Sequence, residues 1–258
     1  MADDQLYDRI VEYYDWEHQD YLDDLQMYLE YAGVRGGSVL DAGCGTGRLL
    51  LPIGRAGHRV TGLDSSAAML RVASARIDEE SLSDRADVVQ GDLRDFDLGR
   101  LYGLAFVALG SFHHLLTQGD QMKALRRLAR HVEPRGLLIL DLINPSPEWL
   151  SAADDVMVHQ LTAPFPYTDS QDLVSKFVVR SSGFDTQTDR QLLLYDRVLP
   201  DGTTTRSVQR MELRYLFRYE AEVLISAAGF RVRDLFGSYD MEPYGASSSR
   251  MIFVAEKR

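Results

Sequence analysis

The sequence predicts an α/β fold in which parallel strands alternate with helices, interrupted late in the chain by an antiparallel β insert. Three observations predict it. Short apolar runs alternate with amphipathic helical stretches between residues 39 and 143, the pattern of repeated strand–helix–strand units. The first apolar run leads into glycines at alternate positions and then into a helical run. From Pro145 to about Leu216 the helical period disappears and strand alternation takes over.

The stretch Val39-Leu-Asp-Ala-Gly-Cys-Gly-Thr-Gly-Arg48 organises the rest. An apolar strand ends at Asp41, Gly43, Gly45 and Gly47 follow, and Arg48 to Arg55 reads as a helix. Glycines there let the backbone bend sharply and let a ligand lie against it without Cβ clashes. A dinucleotide fingerprint wants its third glycine one place later, where this chain has Arg48. The run Leu40-Asp-Ala-Gly-Cys-Gly-Thr-Gly47 instead resembles the first motif of class I S-adenosylmethionine-dependent methyltransferases, in which an acidic residue ends the strand.

Composition narrows the classes. A chain of 258 residues can bury a substantial core, and 45% hydrophobic with 26% charged residues is ordinary for a soluble globular protein. No apolar run is long enough to span a bilayer, and the acidic start Met-Ala-Asp-Asp is unlike a secretory signal. A net charge of -11 argues against a nucleic-acid substrate. Cys44 is the only cysteine, so neither an internal disulfide nor a cysteine-rich zinc site is expected, and no metal. The cytoplasm is the expected location.

Ahead of the glycine motif, two helices are expected, about Asp4–Tyr13 and Glu17–Ala32. The aromatic segment between them packs on the sheet or, in the sharper reading, brings Tyr13, Tyr14 or Trp16 to the mouth of the ligand cleft. After the motif, strand Arg59–Leu63 ends on Asp64, about 20 residues past the loop, where nucleotide folds hydrogen-bond ribose hydroxyls. Ser65 or Ser66 can cap the next helix, whose Met69, Leu70, Ala73 and Ile77 share one face. Met69 is a core position that could also reach an adenine. Strand Ala86–Gln90 leads to Asp92 and Leu93; a carboxylate with an adjacent backbone N–H suits adenine. Strand Gly103–Leu109 runs into Gly110-Ser111-Phe112-His113-His114, at the carboxyl end of a central strand, where open α/β sheets place their ligands. Either histidine could act as a base near neutral pH, His114 being the better candidate.

Thr117–Val132 reads as a helix with Met122, Leu125, Ala129 and Val132 inward, and Leu137–Ile143 as the fifth strand after a Pro-Arg-Gly turn. The insert is expected to hold four antiparallel strands, Val156–Leu161, Leu173–Val179, Leu192–Leu199 and Thr203–Leu216. The last two form a hairpin turned at Pro200-Asp201-Gly202, and Ala163–Tyr167 is an irregular connection. A helix stopped by Gly229 and strands Phe230–Gly237 and Met251–Ala255 close the chain.

The resemblance covers the chain apart from the insert. It implies a Rossmann-like α/β fold: a seven-stranded, mostly parallel sheet with helices on both faces and the last strand antiparallel. Residues 1–150 and 217–258 would form the cofactor-binding core, and 151–216 a lid, substrate platform or homodimer surface. S-adenosylmethionine would be the cofactor, with S-adenosylhomocysteine as product. Asp41, Gly43, Gly45, Thr46 and Gly47 would surround its methionine end, with Leu109 and Gly110 meeting the amine. Asp64, with Ser65, would take the ribose, Asp92 and Leu93 the adenine beside Met69, and Tyr14 would cover the cofactor. The expected activity is methylation of a nitrogen or oxygen on a small molecule, without nucleic-acid or membrane partners. The alternatives are a non-catalytic S-adenosylmethionine-binding subunit and, disfavoured by Arg48, a NAD-dependent oxidoreductase.

Overall fold

A computed structural model describes residues 6–18, 20–151, 154–167, 171–245 and 247–258. Helices α1 (Leu6–His18) and α2 (Leu25–Arg35) precede β1 (Val39–Ala42), α3 (Leu50–Arg55), β2 (Val60–Asp64), α4 (Ala67–Glu79), β3 (Ala86–Gln90) and β4 (Tyr102–Val107). Next come α5 (Gln118–His131), β5 (Val132–Ile143) and the single turn α6 (Pro147–Leu150). Four strands follow: β6 (Met157–Pro164), β7 (Leu173–Gly183), β8 (Thr188–Val198) and β9 (Thr204–Arg214). Helix α7 (Arg218–Ala227), β10 (Phe230–Phe236) and β11 (Arg250–Lys257) complete the order.

Seven strands form one sheet in the order β10-β11-β5-β4-β1-β2-β3. Strand β11 alone runs antiparallel, inserted between β10 and β5. The order reverses between β1 and β4, so the loops after these strands diverge and leave a crevice at their carboxyl ends. Every residue of β1 and β4 is buried, as expected of strands covered on both faces. On one face α5 and α7 meet the strands through Leu125, Leu128, Ala221 and Ile225; on the other α2, α3 and α4 do so through Tyr28, Ile53 and Ile77. Thr117 and Ser66 cap α5 and α4 with their hydroxyls, accepting from Asp120 N and Met69 N.

Several boundaries differ from expectation for identifiable reasons. Helix α1 continues through Tyr13–Trp16, where a break was expected, because Tyr13 and Trp16 face the second sheet and Tyr14 the glycine loop. The expected start at Asp4 lies outside the described residues. Strand β5 begins at Val132, not Leu137: Tyr102 pairs with Val132 and Leu104 with Leu137, so the Pro-Arg-Gly turn is a bulge inside the strand. On α5 the fully buried apolar positions are Ala124, Leu125 and Leu128, with Met122 and Ala129 flanking them. Strand β6 extends through Ala163 to Pro164, which was expected to be irregular; proline is tolerated because β6 is an edge strand.

The second sheet, in the order β6-β7-β8-β9, is antiparallel throughout. The Pro200-Asp201-Gly202 turn closes β8 onto β9, with Leu199 N donating to Thr203 O at 2.9 Å. Its inner face supplies Val174, Val178, Leu193 and Tyr195, which bury Leu6, Ile10 and Trp16 of α1. Helix α1 is thereby sandwiched between the two sheets, and the second sheet reaches the crevice through it.

Candidate active site

The crevice is built first from the backbone. Gly43 and Cys44 both donate to Leu63 O, at 2.7 and 3.1 Å, which folds the glycine loop back over the end of β2. Gly43 and Gly47 have φ of 92° and 86°. A Cβ at Gly43 would lie 3.1 Å from Ser111 Cβ, and one at Gly47 3.3 Å from Ala73 Cβ, so both the conformation and the space demand glycine. The Tyr14 ring lies over Gly45.

Asp41 at the end of β1 is buried, and its Oδ1 has no hydrogen-bond partner among the described residues. Burial pushes its pKa up to about 8; the nearby Arg48 guanidinium opposes this, and Asp64 and Asp24 add to it. Arg48 does little to relieve Asp41 because it is held by Asp24 through two bonds of 2.6 Å and by Tyr21 O at 2.7 Å. An orphaned carboxylate oxygen in this pocket fits a cationic amine. Tyr14, Gly43, Leu109 and Ser111 line the same pocket.

Asp64 ends β2 as expected. Its Oδ2 accepts from Gly45 N at 2.8 Å and its Oδ1 from Ser66 N at 2.9 Å. Burial raises its pKa, and these amide bonds partly offset that. Ser65 is exposed beside it, and Met69 is buried in the first turn of α4. Asp92 is engaged by Arg94, whose backbone N donates at 2.7 Å and whose Nε contacts both carboxylate oxygens at 2.9 Å. Any adenine amine at Asp92 would share the carboxylate with that guanidinium. Leu93 packs partly buried against the core.

Beyond β4, Leu109 and Gly110 adopt φ of 47° and 74°. A left-handed leucine is strained, so something must hold it. Asp141, buried at the end of β5, does: its Oδ2 accepts from Leu109 N at 2.9 Å and its backbone O from Gly110 N at 3.2 Å. Arg250 Nε at 2.6 Å and the Tyr239 hydroxyl at 2.9 Å fix the carboxylate in turn. The sequence carried one signal of this node, a lone acid within the apolar strand Leu137–Ile143.

Residues 39–136, from β1 into β5, match the family described as "Methyltransferase domain". The cypemycin N-terminal methyltransferase of a Streptomyces species is 28% identical over 223 residues, covering 86% of this chain and 84% of that protein. The dTDP-3-amino-3,6-dideoxy-alpha-D-glucopyranose N,N-dimethyltransferase of Streptomyces fradiae is 34% identical over 139 residues, 51% of this chain and 52% of that protein. Residues 39–136 are a methyltransferase domain, and the chain is an S-adenosylmethionine-dependent methyltransferase. Its fold is shared with an S-adenosylmethionine-dependent methyltransferase from Clostridium acetobutylicum ATCC 824, at TM-score 0.80 and 16% identity over 97% of this chain and 98% of that one. The CcbJ methyltransferase from Streptomyces caelestis matches at TM-score 0.78 and 21% identity over 91% and 90% of the two chains.

In this methyltransferase the two histidines have different surroundings. His113 is buried, with Ile143 N donating to its Nε2 at 3.0 Å, which leaves Nδ1 to donate to Arg214 O at 2.8 Å. Both ring nitrogens are committed, so His113 pins the loop to the ends of β5 and β9. His114 has one such bond, Nε2 to the Tyr7 hydroxyl at 2.8 Å. Burial lowers both pKa values to about 4, so both rings are neutral at pH 7. Tyr7 in turn packs edge-on against Tyr14 with ring centres 5.7 Å apart, linking His114 to the glycine loop's aromatic cover.

The methyltransferase closes this crevice with α1. Asp8 accepts from Ser66 Oγ at 2.5 Å and Ala68 N at 3.0 Å; Asp15 accepts from Thr46 Oγ1 at 2.8 Å, from Arg76 and from the Tyr167 hydroxyl. Thr46 thus binds α1 through its side chain. Sequence reasoning missed Asp15, Arg76 and Asp24, because their partners lie 24 to 152 residues away.

Proposed function

We propose that this methyltransferase transfers the methyl group of S-adenosylmethionine to an amino nitrogen of a small molecule, the acceptor lying between the 109–114 loop and the second sheet. The observation that carries this reading is His114, a neutral, part-buried imidazole beyond the carboxyl end of β4, with Nε2 held by one hydroxyl. The dTDP-amino-sugar enzyme described above is named as an N,N-dimethyltransferase and the cypemycin enzyme as an N-terminal methyltransferase, which supports nitrogen over oxygen.

The orphaned Asp41 oxygen fits the methionine ammonium, with Leu109 O nearby; Asp64 fits the ribose, and Asp92 with the Leu93 backbone the adenine. When bound, the cofactor supplies a sulfonium methyl that is already electrophilic, so aligning the acceptor contributes much of the rate. The chain therefore has two tasks: to hold the acceptor nitrogen in line, and to take the proton that nitrogen sheds. His114 Nδ1, the ring nitrogen not bonded to Tyr7, would take that proton, with Nε2–H donating to the Tyr7 hydroxyl and so orienting the ring.

The test is a panel of small amines and alcohols with S-adenosylmethionine, scored by S-adenosylhomocysteine release and by mass spectrometry of the methylated atom. N-methylated product supports the proposal; O-methylation alone, or cofactor binding with no turnover on any amine, overturns it. With an active amine, His114→Ala should lower kcat by ~10²–10⁴-fold, the usual range for a lost general base. S-adenosylhomocysteine affinity should stay within about twofold, because the ring is not expected to touch the cofactor. Unchanged turnover would leave alignment as the sole source of rate and remove His114 from the mechanism.

A further inference from the structure

Past the end of α1, the inner face of the second sheet changes from apolar to polar. Val174 and Val178 cover α1, and Arg180, two residues on from Val178, points to the same side. Its Nε donates to Asp189 Oδ1 at 2.9 Å, and Gln191 Nε2 occupies the other carboxylate oxygen at 2.6 Å. The Arg180 guanidinium lies over the Trp149 ring at 4.1 Å, and Trp149 meets Tyr215 edge-on with centroids 5.3 Å apart. Burial, and after it the Asp189 charge, raise the pKa of the Tyr215 hydroxyl.

Two donors in this ring of side chains are unused. Arg180 Nη2 and the Tyr215 hydroxyl are both buried without a hydrogen-bond partner among the described residues. A buried donor left unpaired costs about 1–3 kcal/mol, and two in one cluster call for an occupant. The Asp189 carboxylate has both its oxygens engaged, so the unused capacity is donor capacity and selects oxygen acceptors.

The cluster also sits beside the transfer site. Tyr215 follows Arg214, whose carbonyl holds His113, and Trp149 follows within a few residues of Ile143, whose amide holds the same ring. Trp149 belongs to the one-turn helix α6, and its ring contacts with Arg180 and Tyr215 set it over the two residues.

We propose that Arg180 and Tyr215, beneath Trp149, form a subsite for an oxyanion of the methyl acceptor, a phosphoryl or carboxylate group remote from the methylated atom. This rests on the acceptor location proposed above. Trp149 covers the two donors when the subsite is empty and moves when it fills.

The test uses the full chain saturated with S-adenosylhomocysteine, titrated by calorimetry with inorganic pyrophosphate and, separately, with trialanine and its C-terminal amide. Trp149 emission in Trp16→Phe, which leaves Trp149 as the remaining one of two tryptophans, gives a second readout. Binding of pyrophosphate assigns a phosphoryl group; binding of trialanine but not its amide assigns a carboxylate. In either case Arg180→Gln should weaken binding by about tenfold or more and Tyr215→Phe by a few-fold, with Trp149 emission shifting only where binding occurs. Neither anion binding, or binding unchanged in Arg180→Gln, overturns the subsite. Because S-adenosylhomocysteine affinity is measured in each titration, failure of the cofactor reading registers separately. The anion titrations without it then decide the subsite.

Discussion

At the residue scale, the decisive side chains are carboxylates whose surroundings set different tasks. Asp141 is saturated with donors and holds Leu109 in a strained turn. Asp41 has an oxygen with no donor among the described residues, and burial pushes its pKa up to about 8 against an ordinary value near 3.9. Without ligand, Asp41 is largely protonated at pH 7; a cationic amine bound beside it favours the ionised form and lowers that pKa. S-adenosylhomocysteine should therefore bind more tightly as pH rises from 6 toward 8, releasing up to about one proton near neutrality. Calorimetry in buffers of different ionisation enthalpy reads that proton directly. Asp41→Asn should remove both the release and the pH slope, and an affinity flat across this range would exclude Asp41 from the ammonium site.

At the element scale, the glycine loop depends on how closely α3 and the loop approach β2. A Cβ at Gly62 would fall 2.5 Å from Leu50 Cδ1 and 2.6 Å from Cys44 Sγ, contacts that real side chains do not make. Gly62→Ala must push α3 and the loop outward together. Overpacking of this kind typically costs about 1–3 kcal/mol, so the melting temperature should fall by several degrees. Because Cys44 lies inside the loop, S-adenosylhomocysteine affinity should fall as well. Loss of stability with unaltered affinity would show that the loop moves independently of α3.

At the scale of the whole molecule, α1 joins the two sheets across the crevice. Its Asp15 ties Thr46, Arg76 and Tyr167, and Glu17 takes Lys176 and the Tyr195 hydroxyl. Burial raises the Asp15 pKa, but bonds from Arg76, Tyr167 and Thr46 outweigh it and hold the group below its usual range. That contribution is complete above the ordinary carboxylate pKa and is lost as pH falls through the lowered one. On the proposed cofactor placement, release from the crevice requires this latch to open. Asp15→Asn should speed S-adenosylhomocysteine release by about tenfold or more, read by stopped-flow, with a smaller change in association. Equal release rates in variant and wild type would mean the crevice opens elsewhere.

What was legible in the sequence is what local chemistry dictates. Alternating apolar runs specify buried strands, glycines at 43, 45 and 47 specify a backbone that must turn left-handed, and the Pro200-Asp201-Gly202 turn specifies its own hairpin. Even the acids at strand ends follow from position alone, since the ladder delivers Asp41 and Asp64 to one edge. Tertiary structure decided everything that depends on distant partners. His113 and His114 are neighbours of the same type, yet packing against β5 and β9 commits one ring fully and leaves the other with a single bond. Tyr13–Trp16 remain helical because two sheets bury them from opposite sides. A charge such as Asp15 or Asp141 acquires its role only when the fold brings its donors from far along the chain, and no local pattern encodes that meeting.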